Sequence, residues 1–148
     1  MDTARVMLAA AVLSAASVTI LAWRTVRIDS SHPARLVSEL QVARWAAIFL
    51  AAVGAITAGL ALARPDVPLG NADAAMGVVF VGAAGLVLQR EPRDGLLFAA
   101  AAFITHALVM LAHRPGWLSP DVMPRVLAIA CAIYDVYLAA LCFVVRRR

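Results

Sequence analysis

Two ionisable side chains lie deep inside strongly apolar stretches of this sequence, His106 in one stretch and Asp135 in the next. An ionisable group is costly to place in lipid, so such residues usually face the interior of a helix bundle and find a partner there. Histidine near its titration range and a carboxyl group removed from water are suited to passing a proton between them. The two side chains therefore predict either a proton-handling site or a polar contact between helices.

Helical spacing favours direct contact between His106 and Asp135. Their two apolar runs are joined by one short linker, so we expect neighbouring antiparallel helices. His106 lies six residues from the linker and Asp135 nine, which is about 9 Å and about 13 Å at helical rise. Each shares its helix face with small or flexible residues, namely Ala99, Ala102, Met110 and His113 on one helix, and Ala128, Cys131, Ala139 and Cys142 on the other. We predict that His106 and Asp135 touch, with Tyr134 able to hydrogen-bond into the pair.

Three interpretations of this pair remain open. It is a clamp that fixes two helices or contacts a partner subunit, a proton or ion relay, or part of a metal or haem site. The metal version uses His106, Met110 and His113, spaced i, i+4, i+7 on one helix face, a ligand set that suits copper or haem iron. That signal is weak, because a methionine on a helix face is far more often packing. The expectation is therefore no bound cofactor.

The elements that position these residues follow from composition. Of the 148 residues, 64% are hydrophobic, and the mean hydropathy is +0.87, whereas soluble domains have roughly 45–50% apolar residues. Charged and turn-forming residues separate five apolar runs, at about 6–23, 45–63, 74–88, 96–112 and 126–145. The sequence thus predicts an all-α integral membrane protein, with residues 1–148 forming a single transmembrane domain that is a compact bundle of five helices.

Two of the runs could lower this count to four. The first has features of a signal peptide, but its apolar stretch exceeds the usual 7–15 residues or so, and no A-x-A cleavage site precedes Arg24. We expect it to be retained as a span. The third run, 74–88, is shorter than the lower limit of about 17 residues. It needs Asn71–Asp73 or Gln89 to complete a crossing.

The linker between the first two runs contains a second helical pattern. Residues 33–44 are predicted to form a short amphipathic helix in the membrane interface, before the chain turns into the second span. Ser31 or His32 can cap this helix, and Pro33 suits its first turn. Its apolar face consists of Leu36, Val37, Leu40 and Ala43, and its other faces carry Arg35, Glu39, Gln41 and Arg44.

The arginines give the bundle a direction. All thirteen basic residues are arginine, which is typical of a GC-rich bacterial genome, so we expect the bacterial cytoplasmic membrane. Nine lie on the side of the C-terminal tail and four, including Arg64 and Arg114, on the other side. The positive-inside rule then predicts an outer N-terminus and a cytoplasmic C-terminus. The net charge of +4 is explained by these membrane flanks, so no nucleic-acid partner is expected.

Catalytic motifs are missing from the sequence. It has no P-loop, no H-E-x-x-H zinc motif and no G-x-S-x-G nucleophile elbow. Small residues instead fill the second to fourth runs, and such residues let membrane helices pack closely. These features favour a non-enzymatic subunit or assembly partner of a larger membrane complex, in contact with lipid and with other subunits. The alternative is a small proton- or ion-coupled transporter, acting as a homo-oligomer, that uses His106 and Asp135. A redox anchor holding haem or metal is the third interpretation.

Overall fold

The computed structural model describes residues 3–63, 66, 70–113 and 124–148, without the side chains of 3–8 and 70–71. Within these residues the chain is all-helical and contains no strand. The helices are α1 (Thr3–Arg27), α2 (Pro33–Leu62), α3 (Gly70–Gln89), α4 (Pro92–Ala112) and α5 (Arg125–Arg147). All five are long and apolar enough to cross a membrane. The predicted helical bundle with five candidate spans is therefore confirmed for the described part of the chain.

The third apolar run forms a full-length helix. α3 begins at Gly70 and ends at Gln89, so it includes Asn71–Asp73 at one end and Gln89 at the other. Its 20 residues correspond to about 30 Å, the thickness of the hydrocarbon core of a bilayer. The length of this run therefore no longer supports the alternative with four spans.

Residues 33–44 do not form a separate helix. They are the first part of α2, which runs unbroken for 30 residues from Pro33 to Leu62. The His32 side chain accepts a hydrogen bond from the Ala34 N–H at 3.1 Å, and Pro33 occupies the first turn, as the sequence predicted. The turn that was predicted between this segment and the second span is absent, so that prediction is wrong. The helix continues because no glycine or proline lies between Pro33 and Gly54 to interrupt it. That this part of α2 lies in the membrane interface stays a prediction.

Glycines allow α2 and α3 to pack closely against each other. A Cβ atom on Gly77 would lie 2.5 Å from the Gly54 carbonyl oxygen and 2.6 Å from the Ala58 nitrogen. A Cβ atom on Gly82 or Gly59 would meet nothing within 4 Å. The small residues Gly54, Ala58 and Gly77 therefore form the close α2–α3 contact, whereas Gly59, Gly82 and Gly85 lie away from it.

α1 is attached to the bundle mainly through its second half. From Ala9 onward, its first buried side chain is Val18, followed by Ala22 and Thr25. Two tyrosines of α5 also hold it: Tyr134 hydrogen-bonds to Ser14, and Tyr137 hydrogen-bonds to Thr19. Within the described side chains, these contacts leave residues 9–13 of α1 exposed.

The turn between α1 and α2 is closed by a short polar contact. The Asp29 carboxylate accepts hydrogen bonds from the Ser31 N–H at 2.9 Å and from the Ser31 hydroxyl at 2.7 Å. These two bonds hold the pKa of Asp29 below its usual range. The turn, the α3–α4 turn at Arg90 and the C-terminus lie at one end of the bundle, which we call the arginine-rich end.

Candidate functional site

His106 and Asp135 are in contact in the centre of the bundle. Asp135 Oδ2 lies 2.6 Å from Nδ1 of His106, and the two residues are 0% and 1% exposed. α4 and α5 bring them together through the small residues around them, since Ala99, Ala128 and Ala139 are also buried. The contact predicted from helical spacing is present. Its role stays a prediction.

Two residues from other helices complete the surroundings of His106. Thr57 of α2 places its hydroxyl oxygen 3.3 Å from His106 Nε2. Phe80 of α3 packs edge-to-face on the imidazole, with ring centroids 4.7 Å apart. Four of the five described helices thus meet at one imidazole ring, which makes it a fixed point of the core.

The hydrogen bonds around His106 fix where the protons can sit. The Thr57 hydroxyl donates to the Val53 carbonyl at 2.9 Å, so its oxygen accepts from His106 Nε2–H. The remaining proton is shared between His106 Nδ1 and Asp135 Oδ2. It sits either on the carboxyl group, which leaves two neutral groups, or on the imidazole, which leaves an ion pair. Both arrangements have no net charge, which suits a group removed from water.

Replacing Thr57 with valine is expected to destabilise the bundle by about 1 kcal/mol. Valine matches threonine in shape but cannot accept the hydrogen bond from His106, so Nε2–H is left buried without a partner. The control is Thr105→Val on α4, because Thr105 is exposed and bonds only to its own helix at the Ala101 carbonyl. Unfolding in mixed micelles, followed by circular dichroism, measures the difference. Equal effects of the two substitutions would contradict the assigned hydrogen bond.

Tyr134 does not hydrogen-bond into the pair, contrary to the sequence prediction. Its hydroxyl lies 2.8 Å from Ser14 Oγ of α1, and its ring packs edge-on against Phe49 of α2. Since Ser14 already donates to the Ala11 carbonyl, Tyr134 is the donor in this bond. Its neighbour Asp135 points in a different direction, because successive helical residues are about 100° apart around the α5 axis. Tyr134 therefore joins α1 to α5.

A second histidine–aspartate pair lies at the C-terminal end of α4. His113 Nε2 is 3.2 Å from Asp73 Oδ1, and Nδ1 of the same imidazole donates to the Val109 carbonyl at 3.0 Å. Both side chains are buried, yet neither Nε2 nor the Asp73 oxygens make a hydrogen bond of acceptable angle within the described residues. Asp73 helps to complete the third span and at the same time faces a histidine.

The residues of the metal alternative have other partners in the structure. His106 is engaged at both ring nitrogens, by Asp135 and Thr57, and His113 by Val109 and Asp73. Met110 is packed in a small apolar cluster with Ala107, Ala128 and Ala132. Among the described residues, no group of three histidine, cysteine or acidic side chains is placed to hold a metal ion. The geometry therefore gives the haem or copper interpretation no support.

A buried ionic cluster holds the arginine-rich end together. Arg35 donates from Nε to Glu39 at 2.7 Å and from its terminal nitrogens to the carbonyl oxygens of Thr25 and Val145. Those carbonyls belong to the last turns of α1 and α5, where helix dipoles concentrate negative charge. Arg93 of α4 adds contacts of 3.3 Å to both Glu39 oxygens. One guanidinium group thus caps two helices and joins them to α2.

Sequence reasoning assigned Arg35 and Glu39 to polar faces of an interfacial helix. In the structure both are only 2% exposed, whereas Leu36 and Val37 are exposed by about 60%. In a bundle surrounded by lipid, the apolar residues face outward and the polar ones face each other. The i, i+4 spacing of Arg35 and Glu39 is the signal that indicates this pair.

Thr57 and Asp73 were recognisable as parts of these sites by simple signals. Thr57 lies at helical spacing on the same α2 face as the buried residues Leu50, Gly54 and Ala61. Asp73 falls inside the third span as soon as that span is given the length of a bilayer crossing. The sequence did not indicate the partner of either residue. Both partners, His106 and His113, lie on α4, and the sequence does not show which helices are neighbours of α4.

Comparison with known proteins found no match: no family model, no curated protein and no solved structure is similar to this chain.

Proposed function

We propose that the protein is a non-enzymatic subunit or assembly partner of a larger membrane complex. The observation that supports this most directly is the exposed stretch of α1 from Ala9 to Leu13. Ala9 and Ala16, two turns apart on one face, are exposed. Small residues on a membrane helix permit close approach of another helix, whereas a purely lipid-facing surface does not require them. A partner helix on this face would complete the packing of α1.

The buried polar groups connect the helices in the way expected of a rigid structural subunit. The His106–Asp135 pair joins α4 to α5, its Thr57 contact adds α2, and Arg35 binds the ends of α1 and α5. Such connections fix the mutual positions of the helices, which is what a subunit needs in order to present a constant surface to its partners. The pair itself is enclosed, since both of its members are almost fully buried.

The membrane assignment and orientation belong to the same proposal. We place the protein in the bacterial cytoplasmic membrane with its N-terminus outside and its arginine-rich end in the cytoplasm. The support is the distribution of arginines and the positive-inside rule. Arg64 and Arg114, which were counted for the outer side, lie outside the described residues.

Site-specific cross-linking in the native membrane tests the proposed partner surface. A photoreactive amino acid at position 16 is expected to give one discrete adduct with another membrane protein, because Ala16 lies on the uncovered face. The control places the same group at Leu108, which is 62% exposed and lies on a different helix, α4. Adducts at neither position, or equal adducts at both, would contradict a specific subunit interface at α1. An adduct with a second copy of this chain would favour a homo-oligomer.

We propose proton transfer as the second candidate function, because two histidine–aspartate pairs lie on one face of α4. His106 and His113 are seven residues apart, or about 10 Å along the helix, and each faces a carboxyl group of another helix. Ionisable groups that follow one another through a membrane protein are typical of proton pathways. In this function Asp135 is the group that passes the proton, and the protein is a small proton- or ion-coupled transporter.

An Asp135→Asn variant separates the two candidates. Asparagine keeps the size and the hydrogen bond to His106 but carries no transferable proton, so we expect a stability loss of at most about 1 kcal/mol. Proton flux into liposomes, measured with an internal pH-sensitive dye under a potassium diffusion potential, should fall at least about tenfold if Asp135 carries protons. Asp94→Asn, an exposed position on α4, serves as the control. Absent wild-type flux, or unchanged flux in Asp135→Asn, would exclude the transport function.

A further inference from the structure

A groove opens between α1 and α2 on the lipid-facing surface. It encloses about 450 Å³ and is lined on α1 by residues from Leu13 to Arg24 and on α2 by Trp45 and Phe49. The groove lies where α1 packs less closely on the bundle: from Ala9 onward its first buried side chain is Val18, and Ser14 contacts the bundle through its hydrogen bond to Tyr134. In a bilayer, an apolar groove of this kind is in direct contact with lipid chains.

The charge in the groove lies at one end. Arg24 is its one charged residue among the described lining residues, which include no acidic side chain. Arg24 is exposed and lies at the arginine-rich end, one turn before the end of α1. A guanidinium group at this level attracts an anion at the membrane surface.

The dimensions of the groove match one leaflet. Leu13 and Arg24 are eleven residues apart on α1, which is about 16 Å at helical rise and close to half of a hydrocarbon core of about 30 Å. Trp45 lines the α2 wall of the groove and is half exposed. The hydrogen bond between Thr25 and Ser38 sets the register of the two antiparallel helices, so Trp45 lies near the level of Val18, about 9 Å below Arg24. The groove therefore begins at headgroup level and ends near the middle of the membrane.

We propose that this groove binds one anionic phospholipid of the leaflet at the arginine-rich end. Its phosphate pairs with Arg24, and one acyl chain lies along Val18, Leu21 and Phe49. A phosphodiester headgroup without an ammonium group fits this site best, because the groove provides a positive charge and no acidic partner for an ammonium. Ala9 and Ala16 of the proposed partner surface do not line the groove, but they adjoin it, because Leu13 and Ile20, one turn further along α1, are lining residues.

Native mass spectrometry of the purified full chain in mild detergent tests the site. Phosphatidylglycerol and phosphatidylcholine with the same acyl chains are added, and the bound lipids are counted. We expect one phosphatidylglycerol to bind in preference to phosphatidylcholine. Arg24→Gln should weaken phosphatidylglycerol binding roughly fivefold, the effect of one arginine at a membrane surface, and should leave phosphatidylcholine binding unchanged.

Two further variants keep the test specific. Arg27→Gln removes the same charge one turn further along α1, where the guanidinium group stacks on Trp23 and does not line the groove, so binding should change less than about twofold. Ser17→Trp fills the groove from an exposed position and should lower binding of both lipids while the circular dichroism spectrum is unchanged. Equal losses in the two arginine variants, unaffected binding in Arg24→Gln, or dimers without lipid adducts would each overturn the proposal.

Discussion

Replacing Arg35 with glutamine is expected to destabilise the folded protein by about 3–5 kcal/mol, the range measured when one partner of a buried ion pair is removed. The guanidinium group donates to Glu39, to Thr25 of α1 and to Val145 of α5, and all of these contacts are buried. Glutamine has two N–H donors in place of five and no charge. It cannot reach three groups on three helices, so at least one helix end loses its cap.

Unfolding in mixed micelles of increasing denaturing-detergent content measures this effect by circular dichroism. Arg44→Gln is the matched control, because Arg44 lies on the same helix and is exposed. We expect the control to change stability by less than about 0.5 kcal/mol. If both variants lost the same stability, the loss would come from net charge and the capping role of Arg35 would be wrong. Glu39 would keep Arg93 as a partner in the variant, which limits the effect to the stated range.

The second large effect is expected at the contact between α2 and α3. Gly77→Val introduces a Cβ atom that would lie 2.5 Å from the Gly54 carbonyl oxygen and 2.6 Å from the Ala58 nitrogen. These are backbone atoms of the opposite helix, so they cannot turn aside as a flexible side chain can. The two helices must separate, and overpacking of this kind costs about 1–3 kcal/mol. A branched side chain against backbone belongs at the upper end of that range.

Gly82→Val is the control for this prediction, since it is the same substitution on the same helix. A Cβ atom on Gly82 meets nothing within 4 Å, so the stability of that variant should stay within about 0.5 kcal/mol of the wild type. Thermal unfolding in detergent, followed by circular dichroism, compares the two variants. A Gly77→Val protein as stable as Gly82→Val would show that the close α2–α3 contact does not form.

The helical architecture follows from the sequence because it depends on averages over many residues. Five apolar runs, of which only 74–88 needs flanking residues to reach bilayer length, predict spanning helices whatever their arrangement, since backbone polar groups cannot remain unpaired in lipid. The contact between His106 and Asp135 was also predictable. Two ionisable groups at similar depth on consecutive antiparallel helices have few other ways to avoid lipid. The cap at His32 depended only on local sequence, and it too is present.

The partners of the other polar residues depend on which helices are neighbours, and the sequence does not contain that information. Arg35 and Glu39 looked like the water-facing side of an amphipathic helix, and they are buried because α1 and α5 both end against them. Thr57 bonds to His106 because α2 and α4 are adjacent, whereas Tyr134 turns to α1. Among the glycines of the small-residue pattern, Gly54 and Gly77 meet another helix closely, whereas Gly59, Gly82 and Gly85 do not.

His106 and Asp135 show the same division within one site. Their types, depths and helix faces came from the sequence, because periodicity fixes where a side chain points relative to its own helix. The tertiary structure decided that Thr57 and Phe80 enclose the imidazole, and that His113 has a carboxyl partner in Asp73. The physical reason is that periodicity constrains each helix alone, while the order of helices around the bundle is set by how closely their side chains pack.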